Sequence, residues 1–362
     1  MSSERPAFAR TIGIDYSGAE TANSSLKGLR VYMADVGIAP REVAPPPSPK
    51  QYWTRRGIAE WLVERLAEDI PTVVGIDHAF SFPLRYFEAH GLLPDWPAFL
   101  DDFQRHWPTD ANHTYVDFVR FGTVGNGAAR EGSPRWRRLT EDRSPGAKSV
   151  FHFDVQGSVA KSTHSGIPWL RFIRQALGDR VHFWPFDGWD VPSGKSAILE
   201  VYPKLWSKDY PVQERTPDQH DAFSVAAWLS AAADDGRLRE AMTPELSPPE
   251  AAVAQVEGWI LGVPWAQMNG PKHHARASST VGRTKGGGKT TAPGYVNKNA
   301  QEVLWKTDLP GNDHSQVVYV LRCGNCGHRY GANGSDIWQR KCPTCGGGAA
   351  GLGFSRFEPH ID

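Results

Sequence analysis

Apolar positions along this chain fall into short runs and helical stripes, and the first run ends in an acid. Thr11-Ile-Gly-Ile-Asp-Tyr-Ser-Gly18 predicts a buried strand over roughly 10–16 that stops at a Ser-Gly turn and presents Asp15 at its carboxyl edge. Leu29 to Val36 alternates as a half-buried strand, and the prolines at 45–49 leave room for at most a short third strand. Ile58, Trp61, Leu62 and Leu66 recur at helical spacing, and Asp69-Ile-Pro71 stops that helix. Thr72-Val-Val-Gly-Ile-Asp-His78 then repeats the opening pattern, with Asp77 in the place of Asp15. Strand, strand, short strand, helix, strand predicts an antiparallel start that crosses over to a parallel partner.

From 83 to 150 the pattern loosens, with short helices predicted at Leu84–His90 and Trp96–Trp107. The run Arg130-Glu-Gly-Ser-Pro-Arg-Trp-Arg-Arg138, continuing to Arg143 and Lys148, suits phosphate contact and base stacking, or a solvated loop anchored by Trp136. A helix follows over Gly157–Leu177, with Val159, Ile167, Leu170 and Ile173 among its apolar positions. Val181 to Asp187 is strand-like, and Ser196 to Pro203 is a strand carrying Glu200 near its end. A helix opens at Asp218, where Asp218 and Asp221 share a face, and another spans Pro248 to Gly262. Residues 263–294 are basic, Gly- and Ser-rich and without periodicity, which predicts a flexible linker. Its Gly-Gly-Gly-Lys-Thr-Thr is no phosphate loop, because no strand precedes it and Arg283 stands where the first glycine belongs.

Length changes the picture by allowing two or three domains in 362 residues. Apolar residues make up 40%, yet no stretch approaches eighteen consecutive apolar positions, so no membrane partner is expected. The opening ten residues lack the apolar core of a secretory signal, and a cytoplasmic protein is the expectation. Net charge is zero, but Lys plus Arg against Asp plus Glu is 28 to 34 over residues 1–262 and 12 to 6 over 263–362. An acidic body with a basic tail suits a metal-binding core joined to an anion-seeking appendage.

All four cysteines lie in that tail, as Cys323-x-x-Cys326 and Cys342-x-x-Cys345. Two such knuckles make a closed tetrahedral Zn2+ site, structural because four thiolates leave no open position. Gln316 to Arg322 supplies a strand beside it, the signature of a zinc ribbon, and His328 is a possible substitute ligand. Arg322, Arg329, Arg340, Lys341, Tyr330 and Trp338 lean the ribbon toward nucleic acid, with a protein partner as the other possibility. The stretch Gly294 to Asn299 is expected only to join the packing of the ribbon, with no mechanism of its own.

Any one of Asp15, Asp77, Glu200 and Asp221 could simply close a strand or favour a helix start. Together they would repel, by ~4 kcal/mol for two carboxylates about 4 Å apart at an effective dielectric of 20. Mg2+ or Mn2+ relieves that, and two such ions support in-line phosphodiester hydrolysis without a covalent nucleophile. Asp15 would bridge the ions; Asp218, His220 and Lys161 are auxiliary candidates.

Gly13-Ile-Asp-Tyr-Ser-Gly18, Gly75-Ile-Asp-His-Ala-Phe-Ser-Phe-Pro83, Glu200-Val-Tyr-Pro203 and Asp218-Gln-His-Asp-Ala222 occur in an order that resembles domain-of-unknown-function family 429. That family is grouped with predicted nucleases of the ribonuclease-H-like fold. The resemblance covers about 10–262. It implies an α/β domain with a mixed five-stranded sheet flanked by helices, and metal-ligand roles for Asp15, Asp77, Glu200 and Asp221. Asp218 would be an auxiliary ligand or the N-cap of its helix. His78, Phe80 and the 83–150 insertion depart from the usual pattern. The expected organisation is a catalytic domain over 1–262, a linker over 263–294 and a zinc ribbon over 295–362. A nuclease acting on DNA or RNA is the leading expectation. An actin-like or sugar-kinase-like phosphotransferase and a catalytically silent nucleic-acid-binding protein are the alternatives.

Overall fold

A computed structural model describes residues 8–144, 146–155, 157–263, 290–311 and 316–353. The chain divides into two compact units, Met1–His273 and His274–Asp362. Most of the expected linker, 264–289, lies outside the described residues.

The first unit is α/β. Its strands are β1 (Arg10–Asp15), β2 (Arg30–Asp35), β3 (Arg41–Glu42), β4 (Thr72–Ile76), β5 (Val181–Phe183) and β6 (Ser196–Glu200). They form one mixed sheet in the order β3-β2-β1-β4-β6-β5. The β1–β2 and β2–β3 pairs are antiparallel, whereas β4, β6 and β5 continue parallel to β1. The sheet therefore has six strands where the resemblance implied five. At one edge the strand-like run from Val181 supplies β5, whose three residues are all buried, beyond β6; at the other edge stands the two-residue β3.

Helices cover the sheet: α1 (Arg55–Leu66), α2 (Leu84–His90), α3 (Trp96–His106), α4 (Val116–Arg120), α5 (Leu139–Arg143), α6 (Ala160–Leu177), α7 (Pro217–Asp235), α8 (Arg237–Ala241) and α9 (Pro248–Glu257). Alternation along the strands splits the core in two. Ile12, Ile14, Val74, Ile76 and Ile198 pack with apolar residues of α1, α3 and α6. Val73, Leu199 and Val201 pack with Val225, Trp228 and Leu229 of α7. The 83–150 insertion is no loose loop. Phe82 sits among the rings of Tyr86, Phe99, Phe103 and Phe151 at centroid distances of 4.7–5.5 Å, so its short helices share the first of these cores. No helix among the described residues is long and apolar enough to cross a membrane.

The glycines of the two Gly-Ile-Asp runs are partners in the β1–β4 ladder, Gly13 beside Gly75. A Cβ on Gly13 would lie 2.3 Å from the Ala222 oxygen, and one on Gly75 would lie 2.8 Å from the Val225 and Val201 side chains. The backbone of α7 thus lies directly on β1, and the Thr11 hydroxyl donates to the Ala226 oxygen at 3.1 Å. Helix α7 starts with a capping box: Thr216 accepts from the Gln219 backbone and Gln219 accepts from the Thr216 backbone. Only a bare glycine permits this approach. Gly13→Ala should cost ~1–3 kcal/mol or more, because the clash is with rigid helix backbone. A urea midpoint that does not move would show that α7 can lift off the sheet.

The second unit is a three-stranded antiparallel sheet of β7 (Gln301–Pro310), β8 (Val317–Cys323) and β9 (Arg329–Asn333). Its small core includes Val303, Leu321, Tyr330 and Ile337.

Candidate functional site

Parallel pairing brings the carboxyl ends of β1, β4 and β6 to one edge of the sheet. The Asp77 N–H donates to the Ile14 oxygen at 3.0 Å, which sets Asp77 beside Asp15. Both follow a glycine by two residues, so both share the parity of the face on which α7 lies. Helix α7 adds Asp218 in its first turn and Asp221 just beyond it. All four aspartates are half-buried, and none is ion-paired among the described residues.

Their charges act on one another. Burial first, then Asp77, Asp218 and Asp221, holds the Asp15 carboxyl well above the usual carboxylate range. Burial, then Asp221 and Glu200, pushes Asp77 up to about 8 against the pull of Lys204. Asp221 is raised chiefly by burial, while His220 and Lys204 oppose the rise. A set of acids in this state must hold protons or be given a cation.

Glu200 stands differently. It is the register partner of Ile76, one residue out of step with Asp77, so its side chain leaves the opposite face of the sheet. There Arg138 grips it with two hydrogen bonds of 2.6 and 2.7 Å, and both side chains are almost fully buried. Arg138 also binds Glu141 at 2.8 Å and the Glu257 oxygen at 3.2 Å. Glu200 is thus committed to an ion pair, although its charge still acts on Asp77. A cleft of about 30 Å³, room for little more than water, is lined by both acids together with His78 and Lys148.

The auxiliary candidates are anchored elsewhere. Lys161 pairs with Asp117 at 2.6 Å, and its backbone presses on Gly18. The buried His220 is hydrogen-bonded through Nε2 to the Ser207 oxygen at 2.8 Å, which fastens the turn before α7. Asp218 is not the N-cap, since Thr216 takes that place. Sequence reasoning missed Arg55, which is fully buried and donates to the oxygens of Ser17, Ala19 and Glu20 at 2.6–3.0 Å, fixing the loop that follows Asp15. Two further arginines of the 130–143 run are tied to acids as well, while Arg135 is exposed. Arg130 pairs with Asp102 and Arg143 with Glu250.

In the second unit the Sγ atoms of Cys323, Cys326, Cys342 and Cys345 all lie within 4.8 Å of one another. Among the described residues this is the one group of three or more His, Cys, Asp or Glu side chains close enough to hold an ion. The aspartates approach one another less tightly than that. The sulfurs of Cys323 and Cys345, and of Cys326 and Cys342, are 3.6 Å apart. That is far beyond a disulfide and close to the ~3.8 Å edge of a tetrahedron with Zn–S bonds of about 2.3 Å. The donor set suits zinc. No family model, curated protein or solved structure matches this chain.

The stretch Gly294–Asn299 now has a role. Buried Asn297 donates to the oxygens of Ile337 and Arg340 at 2.6 and 2.8 Å and accepts from the backbones of Asn299 and Gln301. Asn299 donates to the oxygens of Gln339 and Arg340. Gln301 donates to Cys323 Sγ at 3.5 Å. Burial opposes ionisation of Cys323, but the Gln301 amide and the N–H groups of Cys326 and Asn325 outweigh it and bring the thiol down to about 6. The two knuckles are thereby tied to one clasp.

Two tests follow from these geometries. Arg138→Ala leaves Glu141 and Glu200 buried without their cation, which should cost ~3–5 kcal/mol by denaturant unfolding; a loss under 1 kcal/mol would mean that solvent reaches them. For Asp77, the unfolded chain loses its carboxyl proton near pH ~3.9, whereas the folded one keeps it to about 8. Without added divalent ions, stability should therefore fall as pH rises across that window, and Asp77→Asn should flatten the fall. Equal pH sensitivity in the two proteins, read from urea midpoints at pH 5 and 8, would count against the crowding of charge.

Proposed function

We propose that this chain is a metal-dependent nuclease of the ribonuclease-H-like class, hydrolysing phosphodiester bonds of DNA or RNA. The observation that carries this reading is the group of four aspartates without a paired cation among the described residues, Asp15 and Asp77 at the ends of adjacent central strands and Asp218 and Asp221 near the start of α7. The mixed sheet flanked by helices supports the fold that the resemblance to family 429 implied. Asp15, Asp77 and Asp221, with Asp218 alongside, stand further apart than the cysteine sulfurs and would close around Mg2+ or Mn2+ to hold it; the ion would supply an activated water and stabilise a leaving oxygen. Glu200 contributes through Arg138, fixing the floor of the cleft beside Asp77. His220 and Lys161 act as anchors of the surrounding turns. The cysteine site holds structural Zn2+, and the second unit aids binding of nucleic acid or of a protein partner.

Incubating the purified chain with single-stranded, double-stranded and branched DNA and RNA should give cleavage that requires Mg2+ or Mn2+. Asp15→Asn should lower it at least a hundredfold while leaving the urea midpoint unchanged or raised, since one of the crowded charges is gone. Cleavage that persists in Asp15→Asn, or none on any substrate, would overturn the assignment. Metal analysis should find one zinc per chain, independent of the aspartates.

A further inference from the structure

A groove on the second unit has the chemistry of a single-stranded nucleic-acid site. Lys298 and Lys341 line it together with Asn299, Asn325 and the cluster cysteines Cys342 and Cys345, and no carboxylate does. Both lysines are exposed. At its margin stands Trp338, 52% exposed, with the Lys298 ammonium 5.8 Å from the centre of its ring. The exposed indole offers a flat apolar face beside a cation, the pairing on which unpaired bases stack.

The groove is rigid where it needs to be. Lys298 lies between Asn297 and Asn299, whose side chains are tied to the oxygens of Ile337, Gln339 and Arg340. Those oxygens flank Trp338 and precede Lys341. One clasp therefore sets the spacing of both cations and the ring before any ligand arrives, which lowers the entropy cost of binding.

We infer that this groove binds single-stranded nucleic acid, one base stacking on Trp338 while adjacent phosphates meet Lys298 and Lys341. Stacking on an aromatic ring beside cations that follow the backbone is how unpaired strands are held without sequence preference. A duplex keeps its base faces covered. An acidic protein segment would match the lysines but leave the indole unused. The inference deepens the binding role proposed for the second unit and does not depend on the aspartates.

The test uses the full zinc-loaded chain and fluorescence anisotropy with labelled dT and rU fifteen-mers, without added magnesium. Trp338→Ala should weaken binding of at least one oligomer about five- to tenfold, and Trp338→Phe should restore most of it. Lys298→Ala and Lys341→Ala should each reduce the log–log salt slope by about 0.7. Zinc content should be unchanged in all four variants, and Asp15→Asn alone should leave oligomer binding unchanged, which separates failure here from failure of the nuclease reading. Binding that ignores Trp338, or oligomer displaced equally well by polyglutamate of matching charge, would overturn the inference. So would lysine variants that shed zinc while binding the oligomers normally, because the cations would then only balance the thiolates.

Discussion

Helix α7 lies on β1 and β4 with nothing between their backbones at Gly13, and the arrangement of the first unit follows from that contact. Because both glycines sit at one level of the ladder, the helix can cross two strands at once. Because each glycine is followed two residues later by aspartate, the same face that admits the helix also projects two carboxylates at its start. Close packing and charge crowding are here one feature. A larger side chain at either glycine would lift the helix and separate Asp218 and Asp221 from Asp15 and Asp77.

The electrostatics divide the acids into two kinds. Glu200 and Glu141 are buried with Arg138 and are neutralised within the protein. The aspartates have no such partner among the described residues, and burial and the neighbouring acids raise the proton affinity of Asp15, Asp77 and Asp221. Such a group destabilises the fold at neutral pH unless something positive relieves it, so its persistence asks for a use. The use proposed above is a divalent ion serving phosphodiester hydrolysis. The second unit follows a parallel logic with softer donors. Its sparse apolar core leaves the four sulfurs, and the asparagine clasp that aligns them, to hold the fold together.

Much of this was legible in the residues. The two Gly-Ile-Asp runs predicted neighbouring parallel strands, α2 falls on the predicted Leu84–His90, and the cysteine spacing predicted the cluster. What stayed hidden depended on pairing. Glu200 looks like Asp15 and Asp77 in one dimension, and only the register with Ile76 reveals that it leaves the other face. Arg138 sits 62 residues from Glu200, and nothing local marks it out from its exposed neighbour Arg135. Asn297 and Gln301 were unreadable for the same reason, since their partners lie some forty and twenty-two residues away. Polar residues that satisfy distant backbone or sulfur carry no periodic signal.

The central claim is that the aspartates hold protons which a divalent cation displaces. Titrating the chain with Mn2+ in two buffers of different ionisation enthalpy at pH 7 measures binding and proton release together. The account predicts that Mn2+ binds with release of protons, and that both signals are sharply reduced in Asp77→Asn. Binding without proton release, or binding that Asp77→Asn leaves intact, would contradict it.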